Sequence, residues 1–460
     1  MAILTNKIKK QVINDIIEDF QDSASNQYFV GIGRSEDWND SDVAPTEVSA
    51  LREERDFRLS LQSIKTIADI SFVIPRNNWA SGAIYSPYRD HTAGYPTQPY
   101  YVINENNQVY ICIQQAKNTA GTALTSTVQP TGNTSGTPFT LSDGYVWKFL
   151  YSISALDASK FISANFIPVK LQGATDSDSQ AADTEQKAVQ DAAVVGQITG
   201  YVIDSAGAGY TSAPTLTVSG NGTAAKATAT ISGGAVSKVE LVDSSGSLTL
   251  GSGYDFAKVT VTGGGSPGKQ AKIRPVLSTE LGLGGDPRDD LKAASIMFNS
   301  KPDGEEGGDF IIGQDFRQVG LLKNVKDSAS GVIFTAATGI ALKKLVLSGA
   351  GAGNSFTADN TIKGNTSNTK AFIDKQDSAN IWYHQTEDTG FGNFDSGEGI
   401  TELGTDGLAT GTTATLDATY APYVNPDFLN TTGDVLYIDN RGSVTRSSTS
   451  TEDIKIVIQI

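Results

Sequence analysis

Two histidines, His91 and His384, and one cysteine, Cys112, are the whole supply of imidazole and thiol chemistry in this 460-residue chain. The histidines are far apart and unlike in context. His91 sits in an Arg-Asp-His-Thr loop and His384 follows "NIWY" at an expected strand end, so histidine-based catalysis has little to work with and both read first as polar structural residues. Cys112 lies in "VYICIQ", an apolar strand-like setting that favours packing over a reactive thiol, and a lone cysteine excludes an internal disulfide or a cysteine-rich zinc site. Carboxylates are plentiful. Asp176 and Asp178 in "DSDS", or Asp303, Glu305, Glu306 and Asp309 in "DGEEGGD", could give oxygens to calcium, but neither run has the ligand order of an EF-hand loop, and solvated acidic turns are the simpler reading. A glycosidase pair would be brought together in space, and no stretch singles one out.

The run "YFVGIGRSEDW" poses a sharper question, because Gly31, Gly33 and Arg34 could belong to a phosphate-holding loop. Such a loop needs Gly-x-x-x-x-Gly-Lys-Ser/Thr, or Gly-x-Gly-x-x-Gly between strand and helix, and "RSEDWNDSD" after Gly33 supplies neither. The nucleotide reading fails. Arg34 is expected to be a structural cation held by Glu36 or Asp37, with Trp38 as a hydrophobic anchor.

The elements that would position these residues are mostly strands. Thr5 can cap a helix with Ile8, Val12, Ile16, Ile17 and Phe20 at helical spacing, whose apolar stripe suits the protein's own sheet or a second subunit. "YFVGIG" begins the first strand and "FVIP" closes a second ordered segment. "RNNWASGAIYSPYRDHTAGYPTQPYY" reads as a loop ordered by its tyrosines, "YYVINENNQVYICIQ" as a hairpin, and "DGYVWKFLYSI" as a strand with Tyr145, Trp147, Phe149 and Tyr151 on one face. Composition divides the chain into a helix and first core part (1–172), a solvated linker with a short helix (173–195), a repetitive β-module (196–276), a core continuation (277–328), a second repetitive β-module (329–420) and C-terminal core strands (421–460). In the first module "GAGYTSAPTLTVSG" and "GSGYDFAKVTVTGG" are two copies of a Gly-x-Gly-Tyr turn followed by an alternating strand. The expected fold is therefore mainly β: a discontinuous β-sandwich-like core with an N-terminal helix and two inserted small β-modules.

A length of 460 residues implies two to four compact units, and 47 glycines with 2 methionines suit a turn-rich β protein. The net charge of −16, with "NKIKK" as the one basic cluster, argues against nucleic acid as a partner. No apolar run approaches the roughly 20 residues of a membrane helix, and "MAILTNKIKK" lacks the features of a secretory signal, so use without export is expected.

Five segments, taken together and in this order, resemble the gene-eight baseplate wedge protein family of T-even-type contractile-tailed phages. They are "FVGIGRSEDW" (Gly33, Arg34, Ser35, Trp38), "FVIPRNNW" (Pro75, Arg76, Trp79), "SDGYVWKFLYSI" (Gly144, Tyr145, Trp147), "GQDFRQVGLL" (Phe316, Arg317) and "GDVLYIDNRG...TEDIKIVIQI" (Tyr437, Asn440, Arg441). The resemblance covers islands at about 28–154, 294–325 and 433–460. It implies a non-enzymatic, cofactor-free, mainly β structural protein that forms homodimers, joins other wedge subunits in the virion tail baseplate, and is assembled in the host cytoplasm. The repetitive regions 196–276 and 329–419, and Gly442 after Arg441, depart from that family. The competing expectation is a receptor- or carbohydrate-binding tail protein, which exposed tyrosines in the 76–101 loop would favour; a glycan hydrolase is a third.

Overall fold

The computed structural model describes residues 5–39, 41–46, 49–91, 94–132, 134–173, 181–265, 269–349, 355–420 and 423–460. Asp176 and Asp178 lie outside them. The protein is mainly β, with an N-terminal helix Asn6–Gln21, and divides into two compact units. One comprises Met1–Ile13, Ser71–Met297 and Ile458–Ile460; the other comprises Asn14–Ile70 and Phe298–Val457. On the helix Ile13 is fully buried, whereas Ile8 and Val12 are exposed, so the expected stripe is rotated away from its first two members. No helix among the described residues is long and apolar enough to cross a membrane.

In the first unit the hairpin Tyr101–Ile103 and Gln108–Gln114 pairs onward with Val146–Ser152. Tyr145, Trp147 and Phe149 enter one buried cluster with Tyr85, Tyr110 and Cys112. A register shift opposite Val109 and Tyr110 inserts Leu150 as an extra residue, so Tyr151 leaves the expected face and donates to the Pro168 carbonyl at 2.9 Å. The helix Ala181–Asp191 was expected to be solvated, but Val189 joins the same cluster, and Asp183 and Gln186, six and three residues before it, are buried with it; because these two are polar and dock through hydrogen bonds with Gln172 and the Lys170 carbonyl, no apolar stripe marks the face.

The two Gly-x-Gly-Tyr copies are direct partners: Thr215–Gly220 and Ala257–Thr262 pair antiparallel, with Leu216 opposite Val261 and Val218 opposite Val259. The glycines before each tyrosine, Gly207 and Gly209, Gly251 and Gly253, all take positive φ, which turns Tyr210 and Tyr254 inward to near-complete burial. The ends of this repetitive segment also meet, since Ile198 stands opposite Leu277.

In the second unit a five-stranded sheet runs in the order Thr338–Ile340, Leu61–Thr66, Tyr28–Gly33, Asp315–Lys323, Asp434–Thr445. Its central strands carry Phe29, Ile64 and Leu322 into a core with Phe57, Phe334 and Phe428. Thr338–Ile340 was expected inside the second repetitive module, but Gly339 pairs with Ile64 and makes it an edge of this sheet. The module's own sheet is six-stranded and antiparallel, from Lys343–Val346 to Ala409–Thr415, around Ile362, Ile373, Ile381, Tyr383, Phe394 and Ile400.

Candidate functional site

The "GRSEDW" loop begins where strand Tyr28–Gly33 can go no further. A Cβ on Gly33 would lie 2.5 Å from the Ser60 carbonyl oxygen, and the Arg34 N–H donates to that same oxygen at 2.9 Å. Arg34 then takes φ +62°, a left-handed turn that costs an arginine roughly 1 kcal/mol and redirects the chain so that Ser35 points inward. Its guanidinium carbon stacks 4.2 Å over the Trp38 ring.

The cation that holds this loop is Arg317, on the neighbouring strand Asp315–Lys323. Its Nε donates to Asp42 Oδ1 at 2.6 Å, its Nη2 to Asp37 Oδ1 at 2.6 Å and Asp315 Oδ2 at 3.3 Å, and its Nη1 to the Ser35 carbonyl. A planar fork with five donors is the side chain able to meet acceptors in so many directions. The expectation that Glu36 or Asp37 would pair with Arg34 is therefore corrected: the Asp37 carboxylate goes to Arg317, and among the described residues the Arg34 side chain forms no ion pair but donates to the Asp37 carbonyl at 3.3 Å, with its charge felt at Glu36. Trp38 is half-buried rather than a core anchor.

A third strand completes the arrangement. Phe316 stands opposite Val444 and Gln318 opposite Asn440, so Arg441, Gly442 and Ser443 bulge out facing Arg317. Through this bulge the Arg441 carbonyl accepts from Trp38 Nε1 at 2.7 Å, and Ser443 and Thr445 both donate to Asp315. Gln318 donates to Asn440 Oδ1 at 2.8 Å, and Tyr437 stands opposite Leu321.

Beside this clamp lies a second ion cluster that the sequence did not single out, with His384 and Asp374 buried and Glu36 partly covered. His384 Nδ1 is 2.6 Å from Asp374 Oδ2 and its Nε2 is 2.9 Å from Glu36 Oε1. Burial alone would lower the histidine pKa, but the charges of Asp374 and Glu36 and both hydrogen bonds hold it well above 6.5. Burial would likewise raise Glu36, yet the His384 charge and hydrogen bond bring it down to about 2. The cluster is an imidazolium between two carboxylates, with the Phe372 ring stacked 5.5 Å away.

Such a histidine has no lone pair to offer a substrate. Ser35 Oγ donates to Asp374 at 3.3 Å rather than to the imidazole, so the three residues do not form a nucleophilic triad. Two adjoining clefts of about 300 and 560 Å³ share Glu36, Asp37, Phe372 and Asp388, and no group of three or more metal-ligating side chains occurs among the described residues. What the geometry does well is to fix one loop against two strands and the six-stranded sheet. No family model matches this chain, and no curated protein matches it.

The remaining motif residues gather in the first unit. Tyr101 donates to the Pro75 carbonyl at 2.6 Å, Arg76 reaches Asn78 and the Ser163 carbonyl, and Trp79 Nε1 donates to Ser126 at 3.1 Å. Gly144, at φ +86°, turns the chain beside Ala116 so that Tyr145 and Trp147 follow into the buried cluster. His91 is half-exposed, 3.2 Å from Asp90. Of the acidic turn, Glu306 pairs with Lys65 while Asp309 accepts from Thr338 at 2.6 Å, so these side chains tie strands together where solvated turns were expected.

Proposed function

We propose that the chain is a non-enzymatic structural subunit of a contractile-tail baseplate wedge, acting as a homodimer in contact with other wedge subunits, within the virion tail after assembly in the host cytoplasm. One observation carries this reading. Three of the segments that resemble the wedge family, around Trp38, Arg317 and Arg441, are neighbours in one sheet, tied by one arginine and one backbone bulge. Segments that resemble that family thus share one physical task in this chain, holding a loop against two strands, which supports a structural role. Exposed Ile8 and Val12 on the N-terminal helix give a second subunit an apolar surface to cover.

The receptor-binding alternative asks for exposed tyrosines in the 76–101 loop. Tyr85, Tyr88, Tyr100 and Tyr101 are buried and only Tyr95 is exposed, which favours rings used for packing. An antibody against the purified chain should decorate the distal plate of isolated contractile tails, and sedimentation at micromolar concentration should give twice the chain mass. Unlabelled plates would overturn the location, and a monomer would overturn the homodimer.

A further inference from the structure

The 560 Å³ cleft beside the His384 cluster lies wholly within the second unit. Phe372 and Leu403, both half-buried, give it an apolar lining. Thr389, from the loop after strand Asn380–His384, and Gly404 and Gly407, from the turn between Gly399–Leu403 and Ala409–Thr415, line it as well. The same two loops carry Phe391, 59% exposed, and Leu408, 68% exposed. A single exposed hydrophobic side chain is ordinary, but two large ones on the loops that flank one partly apolar cleft make a patch of the kind a partner covers.

Charge decides what suits this patch. Four carboxylates line the cleft, those of Glu36, Asp37, Asp359 and Asp388, against one ammonium, that of Lys370. Against the burial that would raise it, the His384 charge and hydrogen bond keep Glu36 ionised, while Asp359 is the one acid of the four that burial pushes toward its neutral form. Asp37 is 70% exposed although Arg317 holds its Oδ1, and Asp388 is exposed with its carboxylate in no hydrogen bond or ion pair among the described residues. The two arginines of the adjoining cleft are engaged elsewhere, Arg34 over the Trp38 ring and Arg52 with Asp56 at 3.5 Å. Such a lining repels an acidic segment and favours one that brings cations beside its apolar side chains.

We propose that this cleft docks a basic, extended segment of a partner protein, with an apolar side chain set among Phe372, Leu403, Phe391 and Leu408 and flanking lysine or arginine side chains against Asp37 and Asp388. The segment would belong to a neighbouring wedge subunit, and in that attribution the docking rests on the assembly role above. The cleft's preference for basic and apolar side chains is a property of this chain alone and is measured without any neighbour.

The test is fluorescence anisotropy of a fluorescein-labelled peptide, Lys-Leu-Lys-Leu-Lys, titrated with the full chain at low and at raised sodium chloride. Glu-Leu-Glu-Leu-Glu and Lys-Ser-Lys-Ser-Lys are the controls for charge and for the apolar anchors. The lysine–leucine peptide should bind about tenfold or more tighter than either control, and salt should weaken it. Phe391→Ser combined with Leu408→Ser should weaken it about tenfold, toward the lysine–serine level. Asp388→Lys should weaken it about fivefold at low salt, whereas Glu105→Lys, an equal change of net charge on the first unit, should leave it unchanged. All four positions are exposed, so these variants should melt at the wild-type temperature. Equal binding of the lysine–leucine and lysine–serine peptides, or equal losses from Asp388→Lys and Glu105→Lys, would show a mere attraction of cations to an acidic chain and overturn the docking. Unlabelled baseplates would leave a positive peptide result standing, and a negative one would leave the location in the tail untouched.

Discussion

Arg317 and Asp37 form a 2.6 Å ion pair across 280 residues of chain, with the arginine side chain 5% exposed and the aspartate 70% exposed. The asymmetry decides where the energy lies. An exposed carboxylate regains water when its partner is lost, so Asp37 contributes little by itself, whereas the better covered Asp42, Asp315 and Ser35 carbonyl depend on the guanidinium.

Arg317→Ala should therefore destabilise the second unit by about 2–3 kcal/mol, short of the value for a fully buried pair. Arg317→Lys should recover less than half of this, because a point ammonium cannot face acceptors on three sides. Urea unfolding followed by tryptophan fluorescence reads the loss. A wild-type midpoint for Arg317→Ala would mean that the loop is held by something other than this clamp.

The His384 cluster predicts a pH dependence of definite sign. Its folded pKa is raised above the ordinary 6.5, so its contribution is complete below about pH 6.5 and is lost as pH rises toward the folded value. Glu36, lowered from 4.5 to about 2, contributes fully above about pH 4.5 and loses that contribution as pH falls toward 2. The cluster's stabilisation is thus greatest between about pH 4.5 and 6.5. Subtracting the stability curve of His384→Gln from that of the wild type should give a difference that peaks in this window and declines on both sides. A difference that grows above pH 7 would show the imidazole to be neutral in the fold.

Trp38→Ala should cost about 1–2 kcal/mol, less than for a buried ring, since the side chain is half-buried and its losses are one hydrogen bond to Arg441 and the stack with Arg34. Arg34→Gly should be near neutral, because relief of the positive φ offsets the lost stack. Chemical denaturation of both variants checks this, and a loss above about 3 kcal/mol for either would restore the buried-anchor reading.

How far the sequence was legible follows from periodicity. Strands that alternate or run apolar, such as "YFVGIG" and the copies around Val218 and Val259, could be read directly. Bulges erase that signal: Asp374 is the extra residue in a register shift between Ile373 and Lys375, so its inward carboxylate does not fall on an alternating position. Nor could spacing reveal that Glu36 meets His384, 348 residues away, or that Arg317 rather than Arg34 collects the acids. The one available hint was that "SEDWNDSD" holds more acids than Arg34 could neutralise, which asks for a cation from elsewhere in the chain.

Two buried tyrosines make opposite predictions for the same substitution. Tyr383 packs with Phe394 at 5.6 Å in the core of the six-stranded sheet, and its hydroxyl is buried with no hydrogen-bond partner among the described residues. Tyr145 is equally buried, but its hydroxyl donates to the Leu124 carbonyl at 2.7 Å and accepts from the Tyr85 N–H at 3.2 Å. Replacing either ring with phenylalanine preserves the apolar packing and removes only the oxygen. Tyr383→Phe should therefore stabilise the second unit by about 1 kcal/mol, since an orphaned polar group is removed, while Tyr145→Phe should destabilise the first by about 1–2 kcal/mol by leaving the Tyr85 N–H without its acceptor. Differential scanning calorimetry separates the two signs. If both variants melted lower by similar amounts, the Tyr383 hydroxyl would have a partner in solution, and the core of the six-stranded sheet would be wetter than its apolar lining implies.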